Sequence, residues 1–167
     1  MKKNGMTLPE LLVALALIAV LVALTPAFTS MLDRLRLEST TRDLATAIRY
    51  ARTTAVVEQT GVTIKALEGD WGNGWVIFQD RYRSISRDNA EAILIKRKLG
   101  NRVQIKGNGS MARYIHFSAQ GFPKQESGAF QAGSLVVCSP RIETQSSRLI
   151  LASGGRLRMS AMKTGCT

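Results

Sequence analysis

The stretch Gly5-Met6-Thr7-Leu8-Pro9-Glu10-Leu11-Leu12 opens an apolar run that continues to Phe28. From Met6 to Phe28 the chain has 23 residues, and Glu10 is the one charged side chain among them. A helix rises about 1.5 Å per residue, so this run can cross a hydrocarbon core of about 30 Å. A carboxylate inside such a segment costs on the order of 2.5–3.5 kcal/mol. The sequence therefore predicts a membrane-spanning helix in which Glu10 is functional and needs a partner.

A short basic leader, Met1-Lys2-Lys3-Asn4, precedes Gly5 and the apolar run. This arrangement resembles the processing site of type IV pilins and type II secretion pseudopilins. In that family a membrane-embedded aspartyl prepilin peptidase cuts after the glycine and methylates the new N-terminus, which implies cleavage between Gly5 and Met6 and methylation of Met6. Met6 stands where the family usually has Phe, and Pro9 where it often has Ile. An ordinary secretory signal peptide is the alternative, but Glu10 would then lie inside its hydrophobic core.

The resemblance also gives Glu10 a role in assembly. In this family the N-terminal helices of many pilin subunits bundle into a filament core, where the carboxylate pairs with the N-terminal amine of a neighbour, here that of Met6. Two charges in an apolar bundle are tolerable only as a pair, so the pair fixes axial register more than it adds stability. The alternative is a charge that rests near the lipid headgroups.

The 167 residues, 45% of them hydrophobic, suffice for one membrane helix and one globular domain of about 110 residues. Lys2 and Lys3 on the cytoplasmic side would orient the chain as a single-pass protein of the bacterial inner membrane with a periplasmic domain. The predicted segments are a leader at 1–5, a transmembrane helix half at 6–28, an amphipathic helix half at 29–60 and a β-rich domain at 61–167.

The helix is expected to continue past Thr25-Pro26, with a kink, because helical spacing resumes beyond it. The residues that repeat at intervals of three and four, and so predict a packed stripe, are Leu37, Thr41, Leu44, Ile48, Ala51 and Ala55. Charged residues occupy the other faces. We expect one helix from about Thr7 to about Gln59, which ends near Gly61.

From Val62 onward the pattern changes to short β-rich runs separated by Gly, Asn and Asp, which predicts an α+β fold with antiparallel sheets packed on the long helix. The candidate strands are Val62–Leu67, Trp75–Asp80, Ala92–Lys98, Arg102–Lys106, Arg113–Ser118, Ser134–Cys138, Arg148–Leu151 and Arg156–Ser160. The W-G-x-G-W run from Trp71 to Trp75 and the F-x-x-x-G run from Phe117 to Gly121 resemble the GspH and FimT/FimU branch of minor pilins.

Trp71, Trp75 and His116 are interpreted as packing residues rather than ligand-binding ones. The tryptophans lie beside Asp70, with little positive charge nearby, which argues against a base-stacking platform. His116 is the one histidine, and no nucleophile or metal-ligand pattern accompanies it. With no phosphate loop or paired catalytic carboxylates either, we expect a non-enzyme without cofactor or metal.

The two cysteines, Cys138 and Cys166, both follow the membrane segment. Outside the inner membrane the compartment is oxidising, so we expect a disulfide between them. It would close a loop of roughly 29 residues and contribute about 3 kcal/mol. Two free thiols are the alternative.

The positive charge is concentrated late in the chain. Residues 1–95 have 11 Lys and Arg against 10 Asp and Glu, whereas residues 96–167 have 12 against 2, a surplus of 10. Such an asymmetry indicates a polyanionic partner, although an unselected basic surface can have the same composition.

The run Gly154-Gly155-Arg156-Leu157-Arg158 lies within this basic region and resembles the G-R-x-R pattern of FimT-type pilins, which bind DNA during natural transformation. Strand alternation would place both arginines on one face, with Leu157 turned inward. The predicted DNA-binding residues are Arg156, Arg158, Lys163, Arg148 and Arg141. The alternative for the motif is a solvated hairpin with two exposed arginines. The alternatives for the function are a FimU-like structural minor pilin that helps prime or cap the pilus and a GspH-type pseudopilin of the type II secretion system.

Overall fold

A computed structural model describes residues 8–81, 85, 92–100 and 103–164, without the side chains of residues 24–27 and 142–144. The predicted cleavage site at Gly5 and Met6 lies outside these residues, and so does Cys166.

One helix, α1, runs from Leu8 to Val57 and is 50 residues long. Continuation past Thr25-Pro26 is confirmed. The apolar side chains described in its first half are exposed except that of Ala14, which is half-buried, and by length and composition α1 is the one described helix that could cross a membrane. Its second half buries the predicted stripe, because Leu37, Thr41, Leu44, Ile48, Ala51 and Ala55 are each at most 6% exposed.

The described residues after α1 form nine strands and three short 3-10 helices. The strands are β1 Val62–Ala66, β2 Gly74–Gln79, β3 Ile93–Lys98, β4 Gln104–Gly107, β5 Tyr114–Phe117, β6 Pro123–Lys124, β7 Gly133–Ser139, β8 Ile142–Leu151 and β9 Leu157–Met162. The 3-10 helices are Leu67–Gly69, Trp71–Asn73 and Gly109–Met111.

The strands form two antiparallel sheets, as predicted. The first sheet has the order β3-β2-β1-β5-β6, and the second sheet has the order β4-β7-β8-β9. Side chains from α1 and from both sheets join in one core, which includes Leu44, Ile64 and Leu149. The α+β prediction is confirmed, with the helix as the spine on which both sheets pack.

Two strands differ from the sequence prediction. β8 begins at Ile142, six residues before the predicted start at Arg148, because its pairing with β7 extends through polar residues. β6 was not predicted; it is a two-residue edge strand that begins at Pro123, a position where proline costs no ladder hydrogen bond.

The tryptophans are core residues, as predicted. Trp71 is 1% exposed and donates from Nε1 to the Met111 carbonyl at 3.1 Å, and Trp75 is 2% exposed. Asp70 accepts from the Gly72 amide at 2.7 Å and so caps the 3-10 turn that holds Trp71.

Candidate nucleic-acid interface

The G-R-x-R run forms the turn between β8 and β9, residues 152–156, and the start of β9. Leu151 pairs with Leu157, the Ala152 amide donates to the Arg156 carbonyl at 3.0 Å, and the Gly155 amide donates to the Ala152 carbonyl at 2.8 Å. This β8–β9 turn is therefore tight and hydrogen-bonded at its base.

Arg52 of α1 anchors the β8–β9 turn. Its Nη1 and Nη2 donate to the carbonyls of Gly155 and Gly154 at 3.0 and 3.2 Å. Its Nε donates at 3.0 Å to the carbonyl of Gly121, which closes the β5–β6 turn, residues 118–122. One guanidinium thus joins the helix to two turns, and sequence reasoning did not find it.

Glycine is required at the point where the two turns meet. Gly155 has a φ of +79°, and a Cβ there would lie 2.7 Å from the Gly121 carbonyl oxygen. Gly121 has a φ of +76°, and a Cβ there would lie 2.8 Å from Val56. The glycines of the two sequence patterns therefore allow Arg52 to reach three carbonyls at once.

The described side chains of the motif alternate as the sequence predicts. Arg156 and Arg158 are exposed, whereas Leu157 between them is half-buried against the core. Arg156 also borders a cleft of about 330 Å³ that Arg49 and Arg52 of α1 line from the other side. Three guanidinium-bearing residues therefore surround one solvent-accessible space beside the turn.

Basic residues continue from the turn across the outer face of the second sheet. Arg148 pairs with Ser160, so Arg158 is its diagonal neighbour on the adjacent strand, within about 7–8 Å. Arg148 is half-buried, and its Nε has no hydrogen-bond partner among the described residues. Val136 pairs with Arg148 on one side and with Lys106 of β4 on the other, so Lys106 lies in the same cross-strand row. Lys106 is exposed, and the sequence prediction did not include it.

Lys163 and Arg141, which the sequence prediction groups with the motif arginines, lie at the opposite end of the second sheet. β8 has ten residues, about 30 Å at the usual rise, and separates the β7–β8 turn at Arg141 from the β8–β9 turn. Lys163 follows Met162, which pairs with Ser146 near that far end. Arg141 Nη1 lies 3.8 Å from Asp33 Oδ2 of α1.

The comparison with known families decides the identity of the fold. The sequence profile described as "Type II transport protein GspH" matches residues 40–155, more than half of the chain. This chain belongs to the GspH family. A second profile, the prokaryotic N-terminal methylation motif, matches residues 1–25 of this GspH-family protein. A comparison with curated proteins gave no match.

Solved structures of similar fold are also pilin-like. The type IV minor pilin FimU of Pseudomonas aeruginosa is 23% identical, with a TM-score of 0.63 over 78% of this chain and 96% of that one. A second crystal form of FimU gives a TM-score of 0.61. The minor pseudopilin EpsH from the type II secretion system of Vibrio cholerae is 10% identical, with a TM-score of 0.53 over 75% and 96%. At these identities the similarity shows a shared fold.

The two profiles thus identify a GspH-family chain with an N-terminal methylation motif, and the solved structures show that it shares the fold of a type IV minor pilin and a type II secretion pseudopilin. Its apolar N-terminal helix half suits membrane anchoring and assembly with other pilins or pseudopilins. Glu10 lies in the first turn of α1 and is exposed, which leaves its carboxylate accessible to another subunit.

Cys138 of this GspH-family protein lies fully buried in β7. It pairs with Ser146, whose Oγ donates to the Thr164 carbonyl at 2.6 Å, so the C-terminal segment lies close to the outer face here. Cys166 is two residues further along the chain and outside the described residues. The disulfide stays a prediction.

His116 is buried, which agrees with its interpretation as a packing residue, but its partners are polar. Thr63 Oγ1 donates to Asp80 Oδ2 at 2.8 Å and lies 2.8 Å from His116 Nδ1. Because the hydroxyl has one proton, His116 Nδ1 donates to Thr63. The described residues contain no group of three or more His, Cys, Asp or Glu side chains placed to hold a metal. The side chains of Thr63, His116 and Asp80 thus join β1, β5 and the end of β2.

Proposed function

We propose that this protein is a type IV minor pilin of the bacterial inner membrane whose periplasmic domain binds DNA non-specifically during DNA uptake in natural transformation. The observation that carries the proposal is the exposure of Arg156 in the β8–β9 turn and of Arg158 at the start of β9, while Arg52 fixes the turn backbone beside them. A rigid turn presents two guanidiniums without the entropic cost of ordering a loop on binding.

Backbone phosphate is the ligand that suits this surface. Guanidinium groups bind phosphate through two parallel hydrogen bonds, and such contacts position a protein without reading sequence. Arg148 and Lys106 extend the positive surface from the turn across the second sheet. In the proposal, successive phosphates contact Arg156, Arg158, Arg148 and Lys106. Lys163 and Arg141, at the far end of the sheet, only attract DNA at long range.

The N-terminal part of the proposal concerns processing and assembly. Prepilin peptidase would cleave between Gly5 and Met6 and methylate Met6, and Glu10 would then pair with that amine on a neighbouring pilin. The methylation-motif match over residues 1–25 supports this order of events. The protein would act by binding and assembly and not as an enzyme.

The similarity to FimU favours a second candidate function, a structural minor pilin that primes pilus assembly. The GspH match and the fold of EpsH keep a third, a pseudopilin of the type II secretion system. Neither role requires two exposed arginines on an anchored turn, and this feature favours the DNA-binding proposal.

The proposal is tested by DNA binding of the full-length protein in detergent micelles. Fluorescence anisotropy with a mixed-sequence duplex at several salt concentrations should give a modest, sequence-independent affinity that falls steeply with salt, because each neutralised phosphate releases counterions. Arg156→Gln or Arg158→Gln should each lower the slope of log affinity against log salt by about one. Circular dichroism checks the fold.

Arg113→Gln is the matched control, because Arg113 is exposed and precedes β5 at the end opposite the β5–β6 turn. It should leave the slope unchanged. If the wild-type protein binds neither duplex nor single-stranded DNA at low salt, or if the Arg156 and Arg158 variants keep the wild-type slope, DNA binding at this turn is refuted. The structural minor-pilin function then takes its place.

A further inference from the structure

Two phenylalanines at the edge of the first sheet are exposed although the core is close. Phe122 is 42% exposed and Phe130 is 55% exposed. Their rings meet edge to face, with centroids 6.1 Å apart and planes at 81°. Lys124 Nζ lies 3.6 Å from the centroid of the Phe130 ring, in cation–π geometry. We name Phe122, Lys124 and Phe130 the aromatic patch.

Hydrogen bonds hold the backbone of the aromatic patch in place. The Phe122 carbonyl accepts from the Ser118 amide at 3.0 Å within the β5–β6 turn. The Phe130 carbonyl accepts from Gln125 Nε2 at 3.1 Å, and Phe130 bridges to Lys124. The rings therefore project from a fixed backbone and do not belong to a loose loop.

The aromatic patch lies next to the β8–β9 turn. Phe122 directly follows Gly121, and Arg156 directly follows Gly155. Arg52 donates to the carbonyls of both glycines at 3.0 Å, and a Cβ added to Gly155 would lie 2.7 Å from the Gly121 carbonyl oxygen. Arg52 thus holds both the backbone that precedes Phe122 and the backbone that precedes Arg156.

We propose that the aromatic patch stacks unpaired bases, so that the protein prefers single-stranded DNA to duplex. The inference rests on the proposed function, in which Arg156 and Arg158 hold the phosphates. Aromatic faces beside a cationic groove bind single strands without sequence preference, because every base has a stacking face. In a duplex the bases are already stacked on one another, so the protein reaches the phosphates but gains nothing from the rings.

Charge complementarity favours this occupant over another pilin subunit. Lys124 covers one side of Phe130, and Arg156 lies in the neighbouring β8–β9 turn, so an apolar partner surface would have to desolvate at least the Lys124 cation at the ring. A nucleic-acid strand avoids this desolvation cost, because its phosphates neutralise the cations while its bases cover the rings.

The test compares a 12-nucleotide pyrimidine strand with a duplex of the same length, by anisotropy titration against the full-length protein in detergent. Phe122→Leu and Phe130→Leu should each weaken single-strand binding about tenfold, the effect of losing one stacked base. Duplex affinity should stay within twofold of wild type. Ile93→Ala is the matched control, since Ile93 is also 42% exposed but lies in β3 at the opposite edge of the first sheet.

The outcomes separate the two proposals. If duplex binding depends on Arg156 and Arg158 while the Phe variants bind single strands like wild type, the aromatic inference is overturned and the proposed function stands. If wild type binds neither form, both are overturned. If the Phe variants bind DNA normally but enter filaments poorly, the patch is a subunit contact and the inference is wrong. Equal thermal stability of the Phe variants and wild type confirms that the fold is intact.

Discussion

Replacing Gly155 by Ala should destabilise the domain by about 2–3 kcal/mol. The left-handed backbone at Gly155, with a φ of +79°, costs an L-residue about 1–2 kcal/mol. The new Cβ would also lie 2.7 Å from the Gly121 carbonyl oxygen and 2.8 Å from Arg52 Nε. The turns must then separate, which weakens hydrogen bonds that contribute about 1 kcal/mol each.

Thermal unfolding of the full-length protein in detergent measures this loss, with near-ultraviolet circular dichroism of the buried residues Trp71 and Trp75 as the signal. In a domain of this size about 1 kcal/mol corresponds to about 4 °C, so the melting temperature should fall by about 10 °C. Gly154→Ala is the matched control: among the described residues, no heavy atom beyond its chain neighbours lies within 4 Å of the added Cβ, and its φ is not left-handed. Because a new methyl there only restricts the unfolded chain, its melting temperature should stay or rise slightly. Equal melting temperatures for the two variants would refute the anchoring role of this contact.

Two further predictions concern assembly and the C-terminus. Glu10→Ala should leave membrane insertion intact but reduce the amount of protein in sheared filaments, because the unpaired amine of a neighbour's Met6 is then costly to bury. Glu38→Ala, on the exposed face of α1, is the control, and wild-type incorporation of the Glu10 variant would contradict the role. We expect a disulfide between Cys138 and Cys166, so the unreduced full-length protein should lack two hydrogens by intact mass, whereas alkylation of both thiols without reduction would exclude the bridge.

Local periodicity was sufficient to predict the spine of the fold. Every residue of the predicted helical stripe is buried, because a period of 3.6 residues places those side chains on one face whatever packs against them. Most strands were found for a similar reason, as short runs rich in β-branched and aromatic residues. The first half of β8 was missed because Ser146 and Ser147 have no such pattern and take strand geometry from their pairing with β7 and β9.

The candidate site likewise contains residues that a local pattern predicts and residues that only distant contacts bring together. Arg156 and Arg158 were predicted from a local pattern, and their exposure on either side of half-buried Leu157 follows from strand alternation. Arg52 could not be predicted, since its carbonyl partners lie 69, 102 and 103 residues away. Lys106 lies in the same row as Arg148 only because β4 pairs with β7 and β7 pairs with β8. Lys163 is close to the motif in sequence, but β9 runs away from the β8–β9 turn and places Lys163 at the far end of the second sheet.

The three hydrogen bonds of Arg52 also determine how the protein would bear a mechanical load. Tension applied at the β8–β9 turn passes directly to α1 through the Gly154 and Gly155 carbonyls, which are loaded in parallel. It does not first peel β9 from β8 one residue at a time. Since α1 continues without interruption to Leu8, a pull at the tip of the domain is transmitted along a single helix to the anchored end of the chain.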